Sequence, residues 1–419
     1  MSNTKIPSSD LKIGMFVASL DRPWIDTPFM LEGFLIQNND DIQLLKKHCE
    51  FVQVDWKRST VQQANAGLVW EDLSTSKFVE PMQPADRPDF IPDGIKLSMY
   101  SDVIPVEAEV APAMKAHEHA GEVLMHLLQD IKANKYLTIE EAEIVAQEIV
   151  GSMVRNPDAM MWVARLRKQE ELIYGHGLKV SIYLVALGRH LGLPKESLER
   201  LCTIGLLLDI GKIKLPRKLL LKQERLTPAE FNLIKKHVAF ALDILKETPG
   251  LHADVLLGIA QHHEREDGSG YPAGLSKGDI SLFGRMAAIV DSFTALTNSR
   301  SYAEAIPAYE ALQCLVNFNP GLYQTSMLEQ FIQAIGVFPV GSMIELSSGE
   351  VAAVISHSKI RRLKPRVLII SDSNKRPLQH PVTLDLLYQP QVSGGGEIYI
   401  QRGLSTGAFG IDAKEYYLA

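Results

Sequence analysis

The chain has 419 residues, more than one small module needs, and with 46% apolar and 22% charged residues it is neither disordered nor fibrous. Its 43 basic and 50 acidic residues leave a formal charge of −7, so no overall basic field draws nucleic acid or anionic lipid, and a polyanionic ligand must be met by a local site. Cys49, Cys202 and Cys314 lack the spacing of a disulfide framework or a thiolate zinc site, and with no N-terminal apolar h-region and no apolar run of spanning length, a soluble cytoplasmic protein is expected.

Residues 1–60 read as a small α+β module. Met15, Val17 and Leu20 alternate loosely, Pro23 and Pro28 punctuate, and Phe34, Leu35 and Ile36 form a brief apolar run. Asp40 and Asp41 cap a short helix reaching Lys47, and a strand over 51–54 follows. Over 61–112 the periodicity weakens and prolines at 81, 84, 88, 92, 105 and 112 break any long element, which predicts a partly ordered linker.

From 113 to 338 the texture is helical. Val123, Leu124, Leu127, Leu128 and Ile131 make an i, i+3, i+4 stripe, and the pattern repeats over 139–153 with Thr138 as N-cap. One helix is expected over 158–192, with Gly175 and Gly177 as weak points, and Pro194 opens the next. Residues 339–419 read as a β-rich extension: a hairpin over 343–346 and 351–355, then short strands over 366–370, 382–386 and 398–400, with a Gly-rich loop at 393–397. The expected class is therefore mainly α, an all-α helical bundle flanked by the α+β module and the β-rich extension.

Of the 12 histidines, His176, His237, His262 and His263 lie with Asp209 and Asp291 in helical stretches among apolar neighbours, where an unpaired ionisable group is costly. Asp209 interrupts the apolar string LLLDIGK; it either ends a helix and pairs with Lys212 three positions on, or bridges two metals. His262 and His263 are about 100° apart on a helix and serve one cluster only near a helix end or from two sides. Imidazole and carboxylate without thiolate suit iron, manganese or zinc, and two such ions clamp the attacking and leaving oxygens of a phosphodiester. His117 and His119 read as a solvated HisGluHis face; His48, His126, His190, His252, His357 and His380 lack convergent neighbours; Trp24 and Trp56 read either as packing residues, the commoner use, or as lining a ligand or partner surface.

The strings LLDIGKI at 207–213, HHEREDGSGYP at 262–272 and RMAAIVDSFTALTNSR at 285–300 make residues 170–320 resemble an HD-GYP domain, the branch of the HD metal phosphohydrolases that cleaves cyclic di-GMP. Residues 10–55, with IGMFV at 13–17, DRPW at 21–24 and TPF at 27–29, resemble the small domain that often precedes it. The resemblance implies two divalent ions, Fe or Mn, held by His176, Asp209, His237, His262, His263 and Asp291, with Asp209 as the bridge. It also implies Lys212 facing the phosphate, Arg300 as a basic contact, and Tyr271 as the tyrosine of the GYP loop. Catalysis would fall to Asp209 and Lys212, and the product would be pGpG, GMP or both.

Three positions depart from the pattern. Leu208 stands where the family carries the histidine of its HD pair, Leu172 where some relatives carry a glutamate for a third metal (Glu171 is adjacent), and Ala303 where a second basic residue is common. Three expectations follow: a cyclic di-GMP phosphodiesterase of reduced activity; a degenerate module that senses cyclic di-GMP or docks GGDEF diguanylate cyclases through the Tyr271 loop; or a purely structural bundle with core histidines.

Overall fold

A computed structural model describes residues 3–8, 11–21, 34–36, 39–55, 87–133, 135, 139–166, 174–246, 248–298, 305–317, 321–357, 364–388, 390, 397–405 and 407–411. The chain divides into two compact units, Met1–Phe78 and Val79–Ala419. Among the described residues no helix is long and apolar enough to cross a membrane.

In the first unit β1 (Asn3–Pro7), β2 (Phe16–Leu20), β3 (Phe34–Leu35), α1 (Asn39–His48) and β4 (Phe51–Asp55) build the expected α+β module. The sheet is antiparallel in the order β1-β4-β2-β3. Val17, Val52 and Val54 alternate inward and share a core with Ile36 and with Ile42 and Leu45 of α1. Strand β1 is an addition to the sequence expectation. It lies at the sheet edge and is held by backbone pairing to β4, Thr4 opposite Val54 and Ile6 opposite Val52, which requires no side-chain alternation.

The second unit contains α2 (Val106–Lys132), α3 (Glu140–Arg155), α4 (Pro157–Leu166), α5 (Tyr174–His190), α6 (Lys195–Leu207), α7 (Arg217–Leu220), α8 (Pro228–Lys235), α9 (His237–Leu245), α10 (Ala253–Gln261), α11 (Leu282–Thr297), α12 (Ala308–Asn317) and α13 (Thr325–Ile335). Helix α2 begins at Val106 rather than 113, inside the stretch expected to be a linker, and Pro112 lies within it. An interior proline costs a helix about 3 kcal/mol. Burial of Val106 offsets this, together with Glu109, which is fully buried and accepts two hydrogen bonds from Arg155 of α3 at 2.7 and 2.8 Å. Of the single helix expected over 158–192, α4 covers the part to Leu166 and α5 the part from Tyr174 to His190; Gly175 and Gly177, the expected weak points, lie inside α5, and residues 167–173 lie outside the described residues. His117 is buried on the α2 face that carries Ala113, Ala116 and Ala120. The solvated reading therefore holds only for His119, whose Nδ1 pairs with Glu148 at 2.8 Å.

Strands β5 (Met343–Leu346), β6 (Val351–Ser356), β7 (Arg366–Ser371), β8 (Pro377–Asp385) and β9 (Ile400–Leu404) form an antiparallel sheet in the order β8-β7-β6-β5-β9. The edge strands β8 and β9 depart most from their expected bounds, since half-exposed edge strands carry little hydrophobic signal. One core runs through the helices and into this sheet. At its centre Tyr183, Phe293 and Phe331 meet edge to face at centroid distances of 5.3 Å.

Candidate metal centre

Glycines set the helix spacing around the centre. A Cβ on Gly205 of α6 would lie 2.3 Å from the Ser181 backbone of α5, and one on Gly177 would lie 2.9 Å from the Gly205 carbonyl. The two helices therefore touch backbone to backbone, which lays the first turn of α5, with His176, against the end of α6, where Asp209 follows. A Cβ on Gly211 would meet the His237 carbonyl at 2.0 Å, so the 3-10 turn Ile210–Lys214 rests directly on the start of α9. That contact sets Asp209 and Lys212 beside His237. Helix α10 stops at Gln261, earlier than the glycines at 268 and 270, and His262 is its C-cap. Adjacent imidazoles thus leave a helix end with ring centroids 4.0 Å apart, and Asp291 reaches them from the middle of α11.

All six expected ligand positions meet in this space. Potential ligand atoms of His237, His262 and His263 lie within 4.8 Å of one another. Nδ1 of His237 donates to the Ile234 carbonyl at 2.7 Å, and Nδ1 of His262 donates to the Ile259 carbonyl at 2.6 Å. Carbonyls only accept, so each neutral ring carries its proton on Nδ1 and presents a lone pair on Nε2. Those two Nε2 atoms are 3.4 Å apart in a buried setting. Asp209 Oδ1, 3.5 Å from His237 Nε2, is buried without a hydrogen bond among the described residues. Converging lone pairs and an orphaned carboxylate oxygen are mutually repulsive until a cation sits among them, so this donor set fits a divalent metal. On the other side, Asp291 Oδ1 accepts from His176 Nε2 at 2.7 Å; Asp291 Oδ2 is 3.8 Å from His263, and His176 is 3.9 Å from Asp209.

Burial alone would raise the Asp209 carboxyl, but the Lys212 ammonium 2.6 Å away, with His176 and His237, outweighs it and holds Asp209 far below the usual carboxylate range. Asp291 is likewise held down by His176 and His263 against its burial. Burial lowers His237 to about 4 and pushes His262 and His263 down as well, so all three imidazoles stay neutral and ready to ligate at neutral pH. The first sequence reading of Asp209 holds, since it follows the end of α6 and pairs with Lys212, and the same carboxylate also faces the histidines. Leu208 beside it is fully buried and offers no donor.

Tyr271 stacks on His263, with centroids 4.5 Å apart and planes inclined by 28°. Its loop is tied down by Glu264, a residue the sequence reading passed over. Glu264 is 1% exposed, and its carboxylate accepts from the Ala273 and Leu275 N–H groups at 2.7 and 2.9 Å. The signal was its place directly after the paired histidines, where an acid on an apolar helix end needs partners. Arg300, Ala303, Glu171 and Leu172 lie outside the described residues, as do Trp24, Trp56 and most of the loop at 393–397.

A family model described as HD domain matches residues 162–321, and one described as a domain of unknown function (DUF3391) matches residues 3–142. A cyclic di-GMP phosphodiesterase of Pseudomonas aeruginosa is 30% identical over 380 residues, covering 90% of this chain and 88% of that one. A 3′3′-cGAMP-specific phosphodiesterase of Vibrio cholerae is 33% identical over 157 residues, 38% of this chain and 36% of that one. Among solved structures, an HDG"Y"P protein from Bdellovibrio bacteriovorus aligns over 79% of this chain and 98% of that one, at 17% identity and a TM-score of 0.45.

Proposed function

The chain belongs to the HD-GYP-type cyclic di-GMP phosphodiesterase family of the HD superfamily, with an N-terminal accessory domain, and from that membership we propose that it hydrolyses cyclic di-GMP to pGpG, GMP or both. The observation that carries the proposal is the pair of buried Nε2 lone pairs of His237 and His262, 3.4 Å apart beside the orphaned Asp209 Oδ1. In this reading His237, His262, His263 and Asp209 hold one divalent ion. Asp209 is shared with a second site formed by His176 and Asp291, which Leu208 leaves one ligand short. Iron or manganese suits a histidine and carboxylate set without thiolate. A metal bound there supplies Lewis acidity toward a phosphodiester and toward water.

The chain's own groups do the rest. Lys212 neutralises Asp209 and offers its remaining ammonium protons to a phosphate oxygen, while Arg300 is assigned a second basic contact. Tyr271, fixed by Glu264 through the loop backbone, bounds the substrate beside His263. A cytoplasmic setting is part of the proposal: Cys202 and Cys314 form no disulfide, and burial pushes the Cys202 thiol up to about 12.

A second reading draws on Leu208 together with the His176–Asp291 hydrogen bond of 2.7 Å, which already occupies Nε2 of His176. Here the chain binds cyclic di-GMP without turnover, or docks a GGDEF diguanylate cyclase through the Tyr271 loop. Metal content and cyclic di-GMP hydrolysis, measured on one sample reconstituted with Mn(II) or Fe(II) beside an Asp209→Ala control, separate the two. Turnover above the control supports the enzyme, cyclic di-GMP binding without turnover, measured calorimetrically on the same sample, supports the sensor, and neither binding nor turnover removes both and leaves only the docking alternative.

A further inference from the structure

Beside the histidine cluster, α8 presents a surface that none of the ligand positions explains. Its start is locked by a capping box: the Thr227 hydroxyl accepts from the Glu230 N–H, and Glu230 Oε2 accepts from the Thr227 N–H at 2.7 Å, with Lys222 holding the same carboxylate at 2.7 Å. From this fixed helix Phe231, 44% exposed, sets its ring edge-on to Tyr271 at 6.4 Å and 84°. Lys235 Nζ sits 4.8 Å from the Phe231 ring and 5.1 Å from the Tyr271 ring. Among the described residues this ammonium makes no hydrogen bond or ion pair, although its three protons have only π faces to meet. Tyr271 also stacks on His263. An exposed phenyl ring, a phenol and an unpaired cation therefore line a wall one ring away from a candidate metal ligand.

We propose that Phe231, Lys235 and Tyr271 form a guanine subsite, in which the purine of a cyclic dinucleotide stacks against Phe231 and Lys235 donates to its O6 and N7. This assignment rests on the reading of the histidine cluster as the phosphate-facing centre, since a base lies one sugar away from its phosphate. Stacking accepts any base, because every base has a π face. The lysine does not, because guanine offers two acceptors on that edge whereas adenine pairs its N7 acceptor with an N6 donor that an ammonium repels. Phe231 thus supplies affinity, and Lys235 supplies preference for guanine over adenine.

Binding of cyclic di-GMP and cyclic di-AMP to the full chain by calorimetry tests this, with metal content per chain measured on every variant. Phe231→Ala is expected to weaken both dinucleotides about 5- to 150-fold. Lys235→Met, which keeps the aliphatic stem, is expected to weaken cyclic di-GMP over a similar range and to leave cyclic di-AMP within about twofold, so that the preference collapses. Metal content stays at the wild-type level in both, because neither residue is assigned to the metal. If the wild-type chain binds cyclic di-GMP and both variants match it, the subsite is wrong and the proposed function stands. If the wild-type chain binds neither dinucleotide, the subsite falls together with the reading beneath it.

Discussion

Gly211 is the position at which the centre should be most sensitive to a change that touches no ligand. The Gly211→Ala methyl would lie 2.0 Å from the His237 carbonyl oxygen and 2.5 Å from the Ala241 amide nitrogen, both backbone atoms of α9 that no rotamer change can move. Relieving the contact needs a separation of about 1 Å between the 3-10 turn and α9, an overpacking that costs about 1–3 kcal/mol. The larger effect is on geometry, because the turn carries Asp209 and Lys212 and the helix begins with His237. Displacement of this order at a constellation costs about 100-fold in function. We expect Gly211→Ala to weaken Mn(II) affinity by about 10- to 100-fold, comparable to the loss of a supporting partner of a metal ligand, and to lower the melting temperature. Calorimetric Mn(II) titration and thermal melts measure the two effects. Gly278→Ala, with nothing within 4 Å of the added methyl, is the control. Unchanged Mn(II) affinity and melting temperature in Gly211→Ala would refute the claim that this contact positions the ligands.

The remaining predictions concern the missing ligand, the acid limb and the long helix. Leu208→His, at a fully buried position beside Asp209, is expected to raise both metal per chain and the phosphodiesterase rate; no change in either shows that the site has been repurposed. For the metal-free chain, burial holds His237 at about 4 against an ordinary value of 6.5. The unfolded chain therefore takes up this proton near pH 6.5 and the folded chain only near pH 4. Stability is intact above pH 6.5 and falls between those values by about 3 kcal/mol for this group. A urea midpoint that does not move between about pH 7 and about pH 4.5 contradicts that burial. Gly121→Ala in α2, where the added methyl meets nothing, should stabilise the fold by about 0.5–1 kcal/mol, read as a higher urea midpoint.

Much of the fold was legible because its signals are local. The stripe through Val123, Leu127 and Ile131, Pro194 ahead of α6, and the hairpin of β5 and β6 each declare themselves within a few residues. The misses share a cause. The start of α2 depends on Glu109 meeting Arg155, and β1 depends on a register supplied by β4, so neither is written in its own neighbourhood. The same division runs through the centre. The strings around Asp209, His262 and Asp291 named the candidate ligands, but nothing in them foretold the α8 wall, which exists only because Phe231 and Lys235 fold onto Tyr271.

Residue chemistry alone determined which groups this chain can offer a metal: imidazoles and carboxylates, no thiolate, and a leucine at 208 where the resemblance calls for a histidine. Only the tertiary structure decided how they are offered. Helix spacing set by Gly205 and Gly211 brings ligands far apart in sequence into one buried space, and the Ile234 and Ile259 carbonyls fix which ring nitrogen of His237 and His262 faces it. The physical reason is that a ligand's identity is a property of one side chain, whereas its direction, protonation and burial belong to the groups packed around it.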